Sequence, residues 1–121
     1  MELSYRFGFD AAHKFEHFPA DHPSFGVHGH SFQAEVAVRG EPDRRTGFIV
    51  EFAELEKACA AVRGELDHRM LNQIPGLGAP SLENLCAWIW RRLAPALPGL
   101  ARVVVRRDSA GQSCTYLGPD A

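Results

Sequence analysis

The sequence predicts an α+β fold in the order strand, strand, helix, helix, strand, strand: a four-stranded antiparallel sheet with both helices on one face. Three observations predict it. Apolar and polar residues alternate in two runs, 3–13 and 31–39, and a period of two places alternate side chains on opposite faces of a strand. The middle of the chain changes to three- and four-residue apolar steps, the period of a helix. The β-branched run Val103, Val104, Val105 then restores strand character. Strands and helices in blocks, without regular alternation, indicate an antiparallel sheet.

Taken in order, residues 3–13 form the first strand, with Phe7, Phe9, Ala11 and His13 on one face. Residues 14–27 hold Pro19, Pro23 and Gly26 with Phe15, Phe18 and Phe25, a loop longer than a hairpin needs and of a length that usually carries function. Ser31 to Arg39 is the second strand, with Phe32, Ala34, Val36 and Val38 inward and Gln33, Glu35 and Arg39 outward. Gly40 to Gly47 is a turn. Phe52, Leu55, Cys59, Val62 and Leu66 make the apolar stripe of the first helix, which ends near Gly64 to Asp67. After a connector containing Pro75, Gly76, Gly78 and Pro80, Ser81 is the expected N-cap of a second helix, with Glu83 in its first turn and Leu82, Leu85, Cys86, Ile89 and Leu93 as its stripe. Pro95 and Pro98 stop it. Residues 100–108 and Cys114 to Leu117 are the last two strands, joined by a turn at Ala110 and Gly111.

At 121 residues the chain (1–121) is read as a single domain, and 45% hydrophobic with 23% charged residues is enough to build a core. A net charge of -2 without a basic tract argues against a nucleic-acid partner. No apolar run approaches the roughly 20 residues of a membrane span, and the start Met1-Glu2-Leu3-Ser4 lacks a signal peptide's pattern, so the expectation is a cytoplasmic protein without membrane contact. Cys59, Cys86 and Cys114 have no metal-site spacing and read as reduced thiols. The sheet edges are a hazard that an oligomer removes by continuing the sheet, so a homo-oligomer is expected.

The chemistry concentrates at Gly26-Val27-His28-Gly29-His30-Ser31-Phe32. Two histidines one residue apart on a strand share a face. An isolated pair of this kind binds metal less often than not, and a lone strand-end histidine is more often packed than ligating. If the first two strands pair, however, His13 converges on His28 and His30, and three imidazoles with an open fourth position are the ligand set of catalytic zinc. His17 and His22, in the loop, are taken as solvated. In Leu66-Asp67-His68, an aspartate can orient the adjacent histidine only where the backbone turns; a helix end allows that and makes His68 a candidate acid or base with Asp67 as its partner. Without such a turn, His68 and Arg69 simply complement the helix dipole. Asp108 and Glu83, at element ends, offer carboxylates for a bidentate contact with an amidine-like group, or serve as solvated turn and dipole residues.

Six segments together resemble the 6-pyruvoyl-tetrahydropterin synthase family, and most closely its bacterial 6-carboxy-tetrahydropterin synthase branch of queuosine biosynthesis. They are Phe9-Asp10-Ala11-Ala12-His13, Val27-His28-Gly29-His30-Ser31-Phe32, the run from Thr46 to Leu55, Leu66-Asp67-His68 with Leu71-Asn72, Ile74-Pro75-Gly76-Leu77, and Pro80-Ser81-Leu82-Glu83-Asn84. The resemblance implies the tunnelling fold, in which trimers join their sheets into a barrel and two trimers stack as a hexamer with active sites between subunits. It implies zinc on His13, His28 and His30, proton transfer by Asp67 and His68, and Asp108 with Ser109 anchoring the pterin ring. Ser81 and Glu83 would line the pocket from a neighbouring subunit. The implied substrate is 7,8-dihydroneopterin triphosphate.

The sequence departs from the family pattern twice. Ser24 stands where the family's catalytic cysteine is placed, and a serine hydroxyl does not exchange protons at neutral pH without a strong base beside it. Asp108 and Ser109 replace a glutamate and threonine, keeping the chemistry with one methylene less reach. The leading expectation is a zinc-dependent lyase forming 6-carboxy-tetrahydropterin. Its alternatives are a pterin-binding paralogue with weak or different turnover, cleavage of the dihydroneopterin side chain, and 6-pyruvoyl-tetrahydropterin synthase activity.

Overall fold

The computed structural model describes residues 1–121. Its elements are β1 (Glu2–His13), β2 (His28–Arg39), α1 (Phe52–Leu66), α2 (Leu82–Leu93), β3 (Leu100–Arg107) and β4 (Gln112–Tyr116), forming one antiparallel sheet in the order β1-β2-β3-β4. The predicted order and class hold. The helices intervene in sequence between β2 and β3, yet these two strands are neighbours in the sheet.

The core is built as the periodicities demand. Phe7, Phe9 and Ala11 of β1, Phe32 to Val38 in alternation on β2, and Val103 and Val105 of β3 face Leu55, Cys59, Val62 and Leu66 of α1 and Leu85, Cys86, Ile89 and Leu93 of α2. Phe9 stacks on Phe32 with ring centroids 5.1 Å apart, a cross-strand aromatic pair placed directly beneath the histidines. Ser81 caps α2 as expected, its hydroxyl accepting from the Asn84 amide at 3.2 Å.

Three details differ from expectation. β2 begins at His28, so both histidines of the pair lie within the strand. Phe52 does not join the buried α1 stripe; it is the first residue of the helix and is 47% exposed. Glu35 faces outward as expected, yet is only 7% exposed. β2 is a central strand, and long side chains from both neighbours close over it: Arg6 Nε lies 2.8 Å from Oε1 and Arg102 Nη1 2.6 Å from Oε2, with Arg106 at 3.7 Å. The Arg102 hydrogen bond, and then that of Arg6, hold its carboxyl below the usual range.

Candidate metal and proton-transfer site

Antiparallel pairing sets His13 directly opposite His28 and Ala11 opposite His30. The period of two then puts all three imidazoles on the core face, at the end of the sheet. Their nearest ring nitrogens all lie within 4.8 Å of one another. Two rings are oriented from outside the cluster: Nδ1 of His13 lies 3.0 Å from the Pro80 carbonyl and Nδ1 of His28 2.9 Å from the Gly26 carbonyl. Each carbonyl can only accept, so Nδ1 carries the hydrogen and donates it, and in the neutral ring Nε2 keeps its lone pair. Sequence reasoning missed both carbonyls, because a backbone acceptor leaves no mark in residue type. Pro80 comes from the Ser81 segment, which therefore does reach the cluster, by its backbone.

The cluster fits a divalent metal on its own chemistry. His13 is 1% exposed, and its Nε2 is buried without any hydrogen-bond partner. Burial pushes its pKa down to about 4, against the opposing pull of the Pro80 carbonyl, so the ring is neutral at physiological pH. Burial and then Arg107 lower that of His30 as well. A neutral imidazole whose buried nitrogen has no partner, as at His13, is what a Zn²⁺ site requires of a ligand.

The Asp67-His68 pair is brought to this end of the sheet by the free edge of β1. The amide of His68 donates to the Asp10 carbonyl at 2.6 Å and that of Ala12 to the Arg69 carbonyl at 3.0 Å, so residues 68–70 dock on the edge as a short parallel strand. His68 itself adopts a left-handed backbone, φ 59°, the turn that lets adjacent side chains meet. Its Nδ1 lies 2.9 Å from Asp67 Oδ2, while Asp67 Oδ1 accepts the Asp10 amide at 2.9 Å. The Asp10 amide and then His68 keep the Asp67 carboxyl below its ordinary range. Held at Nδ1, the exposed imidazole presents Nε2 outward. His68, Arg69, His30, Ser31 and Asp10 line one open cleft of about 570 Å³.

The remaining expected residues lie elsewhere on the chain. Ser24 is in the loop, its amide donating to His22 Nδ1 at 3.0 Å and its carbonyl accepting from Phe15; its hydroxyl makes no hydrogen bond. His22 also stacks on Phe18, with centroids 3.9 Å apart. Asp108 and Ser109 form an exposed turn after β3, and Glu83 is exposed in the first turn of α2. None of Ser81, Glu83, Asp108 and Ser109 lines the cleft of its own chain. Arg107, which sequence reasoning did not single out, reaches the cluster with Nη1 3.5 Å from His30 Nε2.

Comparison with known proteins matches residues 2–119 to the family model described as 6-pyruvoyl tetrahydropterin synthase. The chain is 41% identical over 99 residues to a dihydroneopterin monophosphate aldolase of Pyrococcus furiosus, covering 80% of this chain and 78% of that one. It is 33% identical over 119 residues to a 6-carboxy-5,6,7,8-tetrahydropterin synthase of Synechocystis, covering 93% and 90%. Among solved structures it resembles the Caenorhabditis elegans 6-pyruvoyl tetrahydropterin synthase, with a TM-score of 0.84 at 24% identity over 98% of this chain and 95% of that one.

Proposed function

This chain belongs to the 6-pyruvoyl tetrahydropterin synthase family, and on that premise we propose that it is a zinc-dependent pterin lyase that cleaves the carbon–carbon bond of a dihydroneopterin phosphate side chain. The observation that carries this reading is the contrast between an oriented base, His68 on Asp67, and a Ser24 hydroxyl that makes no hydrogen bond, the neighbouring His22 holding the Ser24 amide instead. Cleavage of the retro-aldol type needs one proton taken from a hydroxyl and one returned to carbon, and no thiol. The Pyrococcus furiosus relative, named for an aldolase activity, supports it.

His13, His28 and His30 would hold the zinc, which as a Lewis acid makes a neighbouring hydroxyl easier to ionise. His68 accepts the proton of the hydroxyl on the second side-chain carbon at Nε2. The bond between the first and second carbons breaks, and its electron pair moves into the imine of the dihydropterin ring. Asp67 stabilises the imidazolium through Nδ1, and His68 returns the proton to the first carbon. The products are a 6-hydroxymethyl-7,8-dihydropterin and a phosphorylated two-carbon aldehyde, with no net oxidation. Asp108 and Ser109 anchor the pterin, with Ser81 and Glu83 facing it from a neighbouring subunit of a homo-oligomer, a trimer or hexamer of joined sheets. An open cleft and these outlying residues support such a shared site. No helix of the chain is long and apolar enough to cross a membrane; we place the enzyme in the cytoplasm.

The match to the Synechocystis synthase over 93% of the chain favours a second reading, formation of 6-carboxy-tetrahydropterin in queuosine biosynthesis from the triphosphate, with Ser24 at the position of the proton-transferring group. One experiment separates them. Zinc-loaded protein is incubated with dihydroneopterin monophosphate and, separately, with the triphosphate, and the pterins are resolved by chromatography. Hydroxymethyl pterin is the expected product; carboxy-tetrahydropterin from the triphosphate, with none of the cleavage product, would overturn the first reading.

A further inference from the structure

Arg107 sits where a cation is hard to explain. It ends β3 on the same face as Val103 and Val105, and its Nη1 lies 3.5 Å from His30 Nε2. Arg6, Arg102 and Arg106 converge on Glu35, and Arg63 meets Asp67. Arg107 has no carboxylate partner, and its Nε is buried without an acceptor. A buried charged donor without an acceptor is destabilising. A divalent metal on His13, His28 and His30 adds a second positive centre beside it, and like charges at such distances repel.

Both costs are removed by one ligand. An anionic oxygen bound to the guanidinium beside the histidine cluster supplies the acceptor that the chain does not and screens the two positive centres from each other. We propose that Arg107 is a substrate-anchoring residue that holds an anionic oxygen of the substrate side chain beside the three-histidine cluster. The inference rests on the reading of that cluster as a metal site. It deepens the proposed function by assigning the charge of the group the site selects. Two sources share this chemistry: the side-chain hydroxyl that loses its proton, and a phosphate oxygen. The guanidinium presents several donors in a fixed fork, so a lysine at this position supplies the charge without the second hydrogen bond.

The test uses zinc-loaded full-length protein, Arg107→Gln and Arg107→Lys, with neopterin and neopterin monophosphate as oxidised, uncleavable fluorescent probes. Two quantities are measured: zinc affinity without probe, by chelator competition, and probe affinity, by fluorescence titration. Removing the charge raises zinc affinity about fivefold or more, since a like charge next to the metal disappears, an outcome that mere damage to the fold would not give. The same variant weakens probe binding about tenfold or more, and Arg107→Lys recovers part of it. Equal weakening of both probes assigns the oxygen to the hydroxyl; weakening of the monophosphate alone assigns it to the phosphate. Zinc bound normally by the wild type, with probe affinity or zinc affinity unmoved in Arg107→Gln, overturns the role of Arg107 alone. A wild-type protein that binds no zinc overturns the metal reading and this inference together.

Discussion

On the face of the sheet away from the helices, Glu35 is buried with each carboxylate oxygen met by a guanidinium, Arg6 at 2.8 Å and Arg102 at 2.6 Å. On the helix-covered face, His13 is buried at least as deeply, yet its Nε2 has no partner, and neither has Nε of nearby Arg107. The two clusters lie on opposite faces of one sheet and are made of similar groups. Their difference is the degree of completeness: around Glu35 only Arg106 Nη1, 3.7 Å from the carboxylate, lacks a hydrogen bond, whereas the histidine cluster leaves both its most buried ring nitrogen and the Arg107 Nε without one. A polar cluster satisfied within the chain serves the fold, whereas one that leaves lone pairs and donors unmatched is shaped for something the chain does not itself contain.

That contrast breaks most sharply at the three-histidine cluster. His28→Ala removes one of the three proposed ligands, and a two-imidazole site is expected to retain zinc much more weakly. The expected outcome is zinc content after dialysis falling from about one per chain to near zero, with activity lost and the thermal melt of the metal-free protein little changed, because His28 is only partly buried. Wild-type zinc stoichiometry in this variant would show that the unmatched nitrogens are not ligands.

The proton-transfer pair tests whether the incompleteness extends beyond the metal. His68→Gln keeps a hydrogen-bonding group in place but cannot carry a proton. A fall in kcat of about 10²- to 10⁴-fold with zinc content intact is expected, the usual worth of a general base. Asp67→Asn falls less, since it misorients the ring without removing it. A drop in zinc content that tracks the drop in rate would instead make the pair a support for the cluster.

For Glu35 the expectation is the reverse, a loss of stability. Glu35→Gln leaves Arg6, Arg102 and Arg106 facing one another without their counter-charge, at a cost of about 3 kcal/mol in urea unfolding at neutral pH. The pH dependence has a definite sign. The carboxyl's pKa in the folded protein lies below its ordinary 4.5, so its contribution is present above that value and is lost as pH falls through the folded one. The gap between wild type and Glu35→Gln is therefore flat at neutral pH and closes below 4.5.

Much of this was legible in the residue pattern, and the exceptions have physical causes. The order of strands and helices followed from two periods, and the convergence of His13, His28 and His30 followed from strand alternation plus pairing. The contact between Asp67 and His68 was conditional on a turn, which the left-handed backbone at His68 supplies. Glu35 was placed on the outward face, but its burial there went unread, because alternation fixes the face a side chain points to but not what folds over it. Arg107 was passed over for a similar reason: an arginine at a strand end looks like a surface residue until its neighbours across the sheet are known. The Pro80 and Gly26 carbonyls, which orient His13 and His28, belong to the backbone and carry no residue signature at all.

The smallest expected effect belongs to Ser24. Its hydroxyl makes no hydrogen bond, and the neighbouring His22 spends Nδ1 on the Ser24 amide. A hydroxyl with no base to take its proton contributes little to a step that needs a group titrating near neutral pH. In side-chain cleavage the proton route runs through His68, so Ser24→Ala changes kcat for dihydroneopterin monophosphate by less than about twofold, well within what an uninvolved loop residue shows. Ser24→Cys sharpens the same point. A thiol titrates near 8.5 and exchanges protons at neutral pH, so in the synthase reading it raises turnover of the triphosphate to the carboxy product. In the cleavage reading it leaves the hydroxymethyl product and its rate where they were. Product chromatography for the two variants, run beside wild type on both substrates, distinguishes the cases: a rate that follows the thiol marks Ser24 as part of the unmatched cluster, and one indifferent to it confines the chemistry to the zinc ligands and His68.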